Sequence, residues 1–200
     1  DCLPKILVVV HMCGQSCDMS KIKKLSIEYG FKIIEDASHA VGGKYHDSYV
    51  GSCKYSDIAV FSFHPVKIIT TAEGGAALTN DEDLYNKMSI LRTHGITRDP
   101  NMMENEFEGP WYYEQIDLGL NYRMTDIQAA LGRSQFKRVD EYVLQRNNLA
   151  KKYDSLLSDL PLQIPMIMEN IYSSFHLYVI LLDLANICLL YTSPSPRDQE

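Results

Sequence analysis

Residues 5–10, KILVVV, are an unbroken apolar run after one lysine and rich in β-branched side chains, the pattern of a strand buried on both faces. Asp18 follows as a helix N-cap, then Met19, Ile22, Leu25 and Tyr29 at helical spacing, with Gly30 placed to end the helix. Residues 31–34 predict the next strand. Strand, helix and strand with short joints make a crossover between parallel strands, and such sheets gather ligands at the carboxyl ends of their strands. Glu35, Asp36, Ser38 and His39 fall at such an end.

Residues 57–63, DIAVFSF, predict a further strand, and residues 75–79, GAALT, can return as the neighbouring strand. Residues 81–93 read as a helix closed by Gly95, whereas residues 98–120 have no steady period and predict a long loop. Thr125 and Gln128 have capping-box spacing and open a helical pattern that runs to about residue 160, before Pro161. Residues 174–184 predict a strand. Residues 189–200 turn to a Ser/Pro-rich string without a core pattern, and 184–200 is expected to be a non-native tail. The expected division is 1–125 as one α/β domain with a parallel-rich sheet and flanking helices, and 126–183 as a connecting helix and the start of a second.

With 46% hydrophobic and 22% charged residues, the 200-residue chain is globular material with enough length for a core, which removes disordered and collagen-like readings. A net charge of −7 disfavours a nucleic-acid binder, because that affinity comes from clustered Lys and Arg; any anionic ligand must be held locally. The five cysteines match no zinc spacing, so no metal site is expected and a reduced, cytoplasmic setting is the default. No run reaches the roughly 20 apolar residues of a membrane span. The chain starts without methionine and is expected to be a piece of something longer.

Asp36, Ser62 and Lys67 come from separate strand ends. A carboxylate and an amine converging there suit a structural ion pair. That is the plainer reading of the pair alone; an apolar neighbourhood that counters the lysine's ordinary pKa of roughly 10.4 shifts it toward a nucleophilic lysine. Phe63, Val66, Ile68 and Ile69 are the residues expected to close around it.

The segments IIEDASHAVGG, VGSCKYSDIAVFSFHPVKIITTAEGGAALTND, LRTHG and GLNYRMTDIQAALGRSQF, in this order and spacing, resemble the DegT/DnrJ/EryC1/StrS aminotransferases, pyridoxal-phosphate enzymes that act on nucleotide-linked keto sugars. VHMCGQSCDM together with SFHPVKIITTAEGG is most similar to the branch that aminates C4 of a UDP-linked 4-keto-6-deoxy sugar on the route to pseudaminic acid. The resemblance covers residues 4–182. It implies the fold type I architecture, truncated here at both ends, and a cytoplasmic homodimer with shared active sites, acting on a UDP-keto sugar with an amino donor such as glutamate.

The same resemblance assigns Lys67 the Schiff base with the cofactor and Asp36 the protonated pyridine nitrogen. It puts His39, where many relatives carry Gln, near the phenolic oxygen. Ser62 would contact the cofactor phosphate, and Asn121 the phosphate of the partner subunit's cofactor. Arg92, His94, Arg98 and Arg123 are candidates for the sugar nucleotide's pyrophosphate. Each has a plainer alternative: a satisfied polar residue for His39, a strand-end hydroxyl for Ser62, a turn residue for Asn121, solvated charges for the rest. Relatives carry a phosphate cradle and a stacking aromatic before the stretch that starts here, and a complete small domain after it, so the 200 residues alone are expected to be inactive. Rival readings are an aminotransferase for another nucleotide-keto sugar, a dehydratase relative, which Lys67 argues against, and a non-catalytic cofactor-binding or regulatory fragment.

Overall fold

The computed structural model describes residues 3–184. Four strands form the central sheet: β1 (Ile6–Val10), β2 (Lys32–Asp36), β5 (Ile58–Ser62) and β6 (Gly75–Leu78), in the order β1-β2-β5-β6. The first three are parallel, with Val10 opposite Asp36 and Asp36 opposite Val60; β6 runs antiparallel to β5, with Ser62 opposite Gly75. Between β2 and β5, β3 (Lys44–Tyr45) and β4 (Ser48–Tyr49) form a hairpin that β10 (Ile171–Tyr172) extends.

Helix α1 (Met19–Tyr29) links β1 to β2. Asp18 caps it by accepting the Lys21 N–H, and Gly30 ends it in the left-handed region at φ 74°, where a side chain would be strained. Helix α2 (Glu82–Leu91) is capped in the same way by Asp81. The loop that follows holds the short pair β7 (Ile96–Thr97) and β8 (Glu114–Gln115). The chain closes with α3 (Asp126–Phe136), α4 (Val139–Leu157) and the pair β9 (Leu162–Gln163) and β11 (Leu181–Leu182).

Three expectations change. Strand β1 is not buried on both faces: Val9 is buried, while Ile6, Val8 and Val10 are exposed, because α1 covers one side and no described residue layers the other. The long helix is two helices. The capping box at Thr125 and Gln128 is present, but the chain breaks at Arg138 (φ −114°, ψ 8°), and the new direction carries Val139 and Val143 into the core against Ala37, Ala40 and Val41. Residues 174–184 are not a continuous strand. Ser173 and Ser174 are buried and spend their polar groups on distant partners, which overrides the apolar pattern; only Leu181–Leu182 pairs. The tail expected at 184–200 lies, beyond Leu184, outside the described residues.

Two apolar clusters sit on the covered side of the sheet. One joins Val9, Met19, Phe31, Ile33 and Tyr45. The other, at the carboxyl end, joins Phe61, Ile68 and Ile69 to α4. The second is what positions the site.

Candidate active site

The segment carrying Lys67 is a closed excursion between β5 and β6. The Phe63 N–H donates to the Gly74 carbonyl at 2.8 Å, and the Phe63 carbonyl accepts from the Thr71 N–H at 3.0 Å and the Thr70 hydroxyl at 2.9 Å. Ile68 and Ile69 pin it from below, buried in the carboxyl-end cluster. Helix α3 holds it from the side: the Gln135 Oε1 accepts the Thr70 N–H at 3.1 Å, and Gln128 donates to the Glu73 carbonyl at 3.1 Å. Gly132 permits this approach, since a Cβ there would come within 2.6 Å of the Thr71 methyl. Lys67 is therefore held by its backbone, while no hydrogen bond or ion pair to its Nζ occurs among the described residues. The apolar closure expected over it is partial: Val66 is 65% exposed, and Ile68 and Ile69 point into the core, not over the amine.

Asp36 ends β2 beside it. Partial burial works to raise its carboxyl, but hydrogen bonds from Ser38 and the charges of His39 and Lys67 outweigh this and hold it below the usual carboxylate range. His39 accepts the Cys13 N–H at its Nδ1 (3.3 Å), so the neutral ring carries its hydrogen on Nε2. Burial first, then the Lys67 charge, pushes its pKa down against the pull of Asp36. Cys13 serves as a donor here from a left-handed backbone, φ 59°. Asp36, His39 and Lys67 thus sense one another electrostatically, and Ser62 ends β5 next to the lysine segment, its hydroxyl accepting the His64 N–H at 3.4 Å.

The other candidates lie elsewhere. Arg92 caps the end of α2, and its carbonyl accepts the Tyr122 N–H; the His94 N–H donates to the Leu120 carbonyl. Arg98 lies 6.0 Å over the Tyr113 ring, and Asn121 is exposed, bridged to Thr93 through the backbone. Arg123 is exposed. Arg92 ends α2 and the other four lie on the chain between α2 and α3, where Met124, next to Arg123, comes up against Gly74 of the lysine segment.

The residue that sequence reasoning missed is His176. Its ring lies 4.5 Å from that of His39 at an interplanar angle of 43°, and its Nδ1 is buried without a partner. Burial, then the charges of His39, Lys67 and Arg146, push its pKa down to about 4. No local pattern could have flagged it, because it reaches the site across 137 positions of chain from His39 (176 − 39). Taken together, the free primary amine of Lys67, the ionised carboxylate of Asp36, the strand-end hydroxyl of Ser62 and the imidazole of His39 are a donor set that fits pyridoxal phosphate.

Comparison with known proteins settles the lineage. The profile of the DegT/DnrJ/EryC1/StrS aminotransferase family matches residues 4–189. The chain belongs to this family. It is 39% identical over 175 residues to the UDP-4-amino-4,6-dideoxy-N-acetyl-beta-L-altrosamine transaminase of Campylobacter jejuni serotype O:2, an overlap of 87% of this chain and 44% of that protein. The fold superposes on Helicobacter pylori PseC, an aminotransferase involved in pseudaminic acid biosynthesis, with TM-score 0.78 and 35% identity, covering 88% of this chain and 44% of that one. Streptococcus pneumoniae Spr1654, solved in a PLP form, matches with TM-score 0.74 and 28% identity over 90% of this chain and 48% of that one. The chain spans about half the length of the curated relatives it matches. The parallel-rich α/β fold is that of these aminotransferases.

Proposed function

We propose that these residues belong to a pyridoxal-phosphate-dependent sugar aminotransferase that moves an amino group from L-glutamate to C4 of a UDP-linked 4-keto-6-deoxy sugar. The observation that carries this reading is the convergence of an ionised Asp36, His39 and an unpartnered Lys67 amine at the carboxyl ends of β2 and β5. When bound, the cofactor supplies a carbonyl carbon that carries the amino group and a ring that accepts electrons. Lys67 would hold it through its amine and, once freed, would hold and move a proton at Nζ beside the donor's Cα. Asp36, already charged, keeps the ring nitrogen protonated. His39, with its hydrogen on Nε2, would donate it to the cofactor's ring oxygen. Ser62 binds the cofactor phosphate.

Asn121 reaches the second site of a homodimer, and Arg92, His94, Arg98 and Arg123 supply the local positive charge that a pyrophosphate needs on a chain of net charge −7. Residues 1–125 belong to the large cofactor-binding domain, and 126–183 connect to the small one. The enzyme works in the cytoplasm; no helix among the described residues is long and apolar enough to cross a membrane. Because the chain spans about half of its relatives, the 200 residues alone are expected to bind cofactor weakly and not to turn over.

Lys67→Ala and Lys67→Arg in the complete protein test the reading. Both are expected to lose the visible absorbance of the attached cofactor and all turnover, since a guanidinium cannot form the covalent link. Appreciable transaminase activity in either would remove Lys67 from its role.

A further inference from the structure

Residues 173–177 form no regular element, yet they are tied down more heavily than many strands. Ser174 donates its N–H to the Gly14 carbonyl at 3.0 Å and its hydroxyl to the His39 carbonyl at 2.8 Å. From α4, Asn147 donates to the Ser173 carbonyl at 2.9 Å, and Arg146 Nη1 donates to the carbonyls of Phe175 (3.1 Å) and His176 (3.3 Å). Gly14 is required at the contact, because a Cβ would meet Ser174 Oγ at 2.5 Å and the Phe175 nitrogen at 2.8 Å. Phe175 sits at φ 44°, a conformation that a bulky side chain adopts only when its surroundings impose it. All this holds one side chain in place. His176 is set against the His39 ring, and its Nδ1 is the one buried side-chain nitrogen or oxygen without a partner among the described residues.

The charges around that nitrogen define what would pair with it. Lys67 and Arg146 both act on His176 as cations. Asp36, the anion that acts on His39, accepts the Ser38 N–H. A neutral imidazole flanked by cations can donate an N–H to an anionic oxygen without adding a further positive charge beside the Lys67 amine. We propose that His176 hydrogen-bonds the carboxylate of the amino-acid donor and that Arg146 is a positioning residue, seating His176 by clamping the two carbonyls of its segment. This rests on the aminotransferase reading above.

The test uses the complete protein, with and without cofactor, as wild type, His176→Ala and Arg146→Met. Loaded with cofactor, both variants are expected to keep the visible absorbance and the KM for the keto sugar, while the KM for glutamate rises tenfold or more. Independently of turnover, the cofactor-free wild type is titrated with glutarate, an unreactive dicarboxylate, and followed by histidine-ring NMR. The His176 ring signals should move and those of His11 should not; in Arg146→Met the same shift should need at least tenfold more glutarate. A glutamate KM within twofold of wild type in His176→Ala overturns the proposal, as does a glutarate titration that leaves His176 unmoved. A changed resting absorbance with an unchanged glutamate KM would assign the nitrogen to the cofactor's ring oxygen instead, and also overturns it. Should His176→Ala fail to fold, the wild-type titration and Arg146→Met still decide. A colourless wild-type protein would sink the aminotransferase reading, whereas a glutarate shift at His176 would survive that loss.

Discussion

Glu35 and Asp36 are consecutive on β2 and project to opposite faces of the sheet. On the covered face, Glu35 is buried and accepts the Nε2–H of a fully buried His11 at 2.7 Å and the hydroxyl of Ser56. On the open face, Asp36 is half-buried, takes its hydrogen bond from Ser38 and only senses Lys67 and His39 through space. The two histidines respond in opposite ways. Burial alone would lower His11, but hydrogen bonding to Cys17 and Glu35 and the Glu35 charge lift its pKa to about 9. The Cys17 N–H also donates to His11 Nδ1 at 3.2 Å and favours a neutral ring; the carboxylate, closer and charged, wins. His176, without a carboxylate, falls to about 4. One face uses its charges up on each other, and the neighbouring one holds them in reserve.

The largest expected consequence is in rate. On the role proposed for Asp36, Asp36→Asn should lower turnover of the complete enzyme by a hundredfold or more, because an amide would not keep the cofactor's ring nitrogen protonated, while the unfolding midpoint stays near wild type. Wild-type rates in this variant would make Asp36 structural and erase the contrast between the two faces. Next comes stability: Glu35→Ala leaves a buried imidazolium without its partner and should cost about 3–5 kcal/mol in denaturant unfolding. A loss below about 1 kcal/mol would mean that His11 simply goes neutral and that the pair holds little together.

Part of the site, though not this contrast, was legible in the chain. Strand ends that gather polar residues put Asp36, His39 and Lys67 within one region, and the caps at Asp18 and Thr125 set the starts of α1 and α3. What could not be read is what depends on a distant partner. The KILVVV run is equally apolar whether one face or two are covered. The break at Arg138 carries no Gly or Pro signal and follows from where Val139 and Val143 must pack. Residues 174–184 look like a strand because their hydrophobicity is local, whereas the buried bonds of Ser173 and Ser174 that deliver His176 are not.

The two histidines also predict how stability depends on pH. From an ordinary value of 6.5, His11 rises to about 9 on folding, so its contribution is complete below 6.5 and fades as pH climbs through about 9. His176 falls from 6.5 to about 4, so folding loses stability as pH drops from 6.5 toward 4. Histidine-ring NMR should show the two titrations on opposite sides of 6.5, and Glu35→Gln should bring only the His11 titration down. Titrations that coincide would mean that the Glu35 charge does not reach the imidazole.

The smallest expected effect lies at the prop behind the lysine segment. The Thr125 hydroxyl accepts the Gln128 N–H at 3.3 Å, and the Gln128 side chain takes the Thr125 N–H at 2.9 Å, so the first turn of α3 is closed reciprocally. The same Gln128 amide reaches the Glu73 carbonyl, and Gln135 holds the Thr70 N–H, so a frayed α3 loosens the loop that carries Lys67. Thr125→Ala should therefore cost about 1 kcal/mol of stability, a typical cap loss, and Thr125→Ser should restore it. Hydrogen exchange at the Thr70 amide adds the link to the site: it should quicken in Thr125→Ala, while the Ile33 amide, bonded to Asp57 at 2.9 Å on the other side of the molecule, should not respond beyond the global change. Equal protection at Thr70 in both proteins would show that Ile68 and Ile69 hold the lysine segment without help from α3.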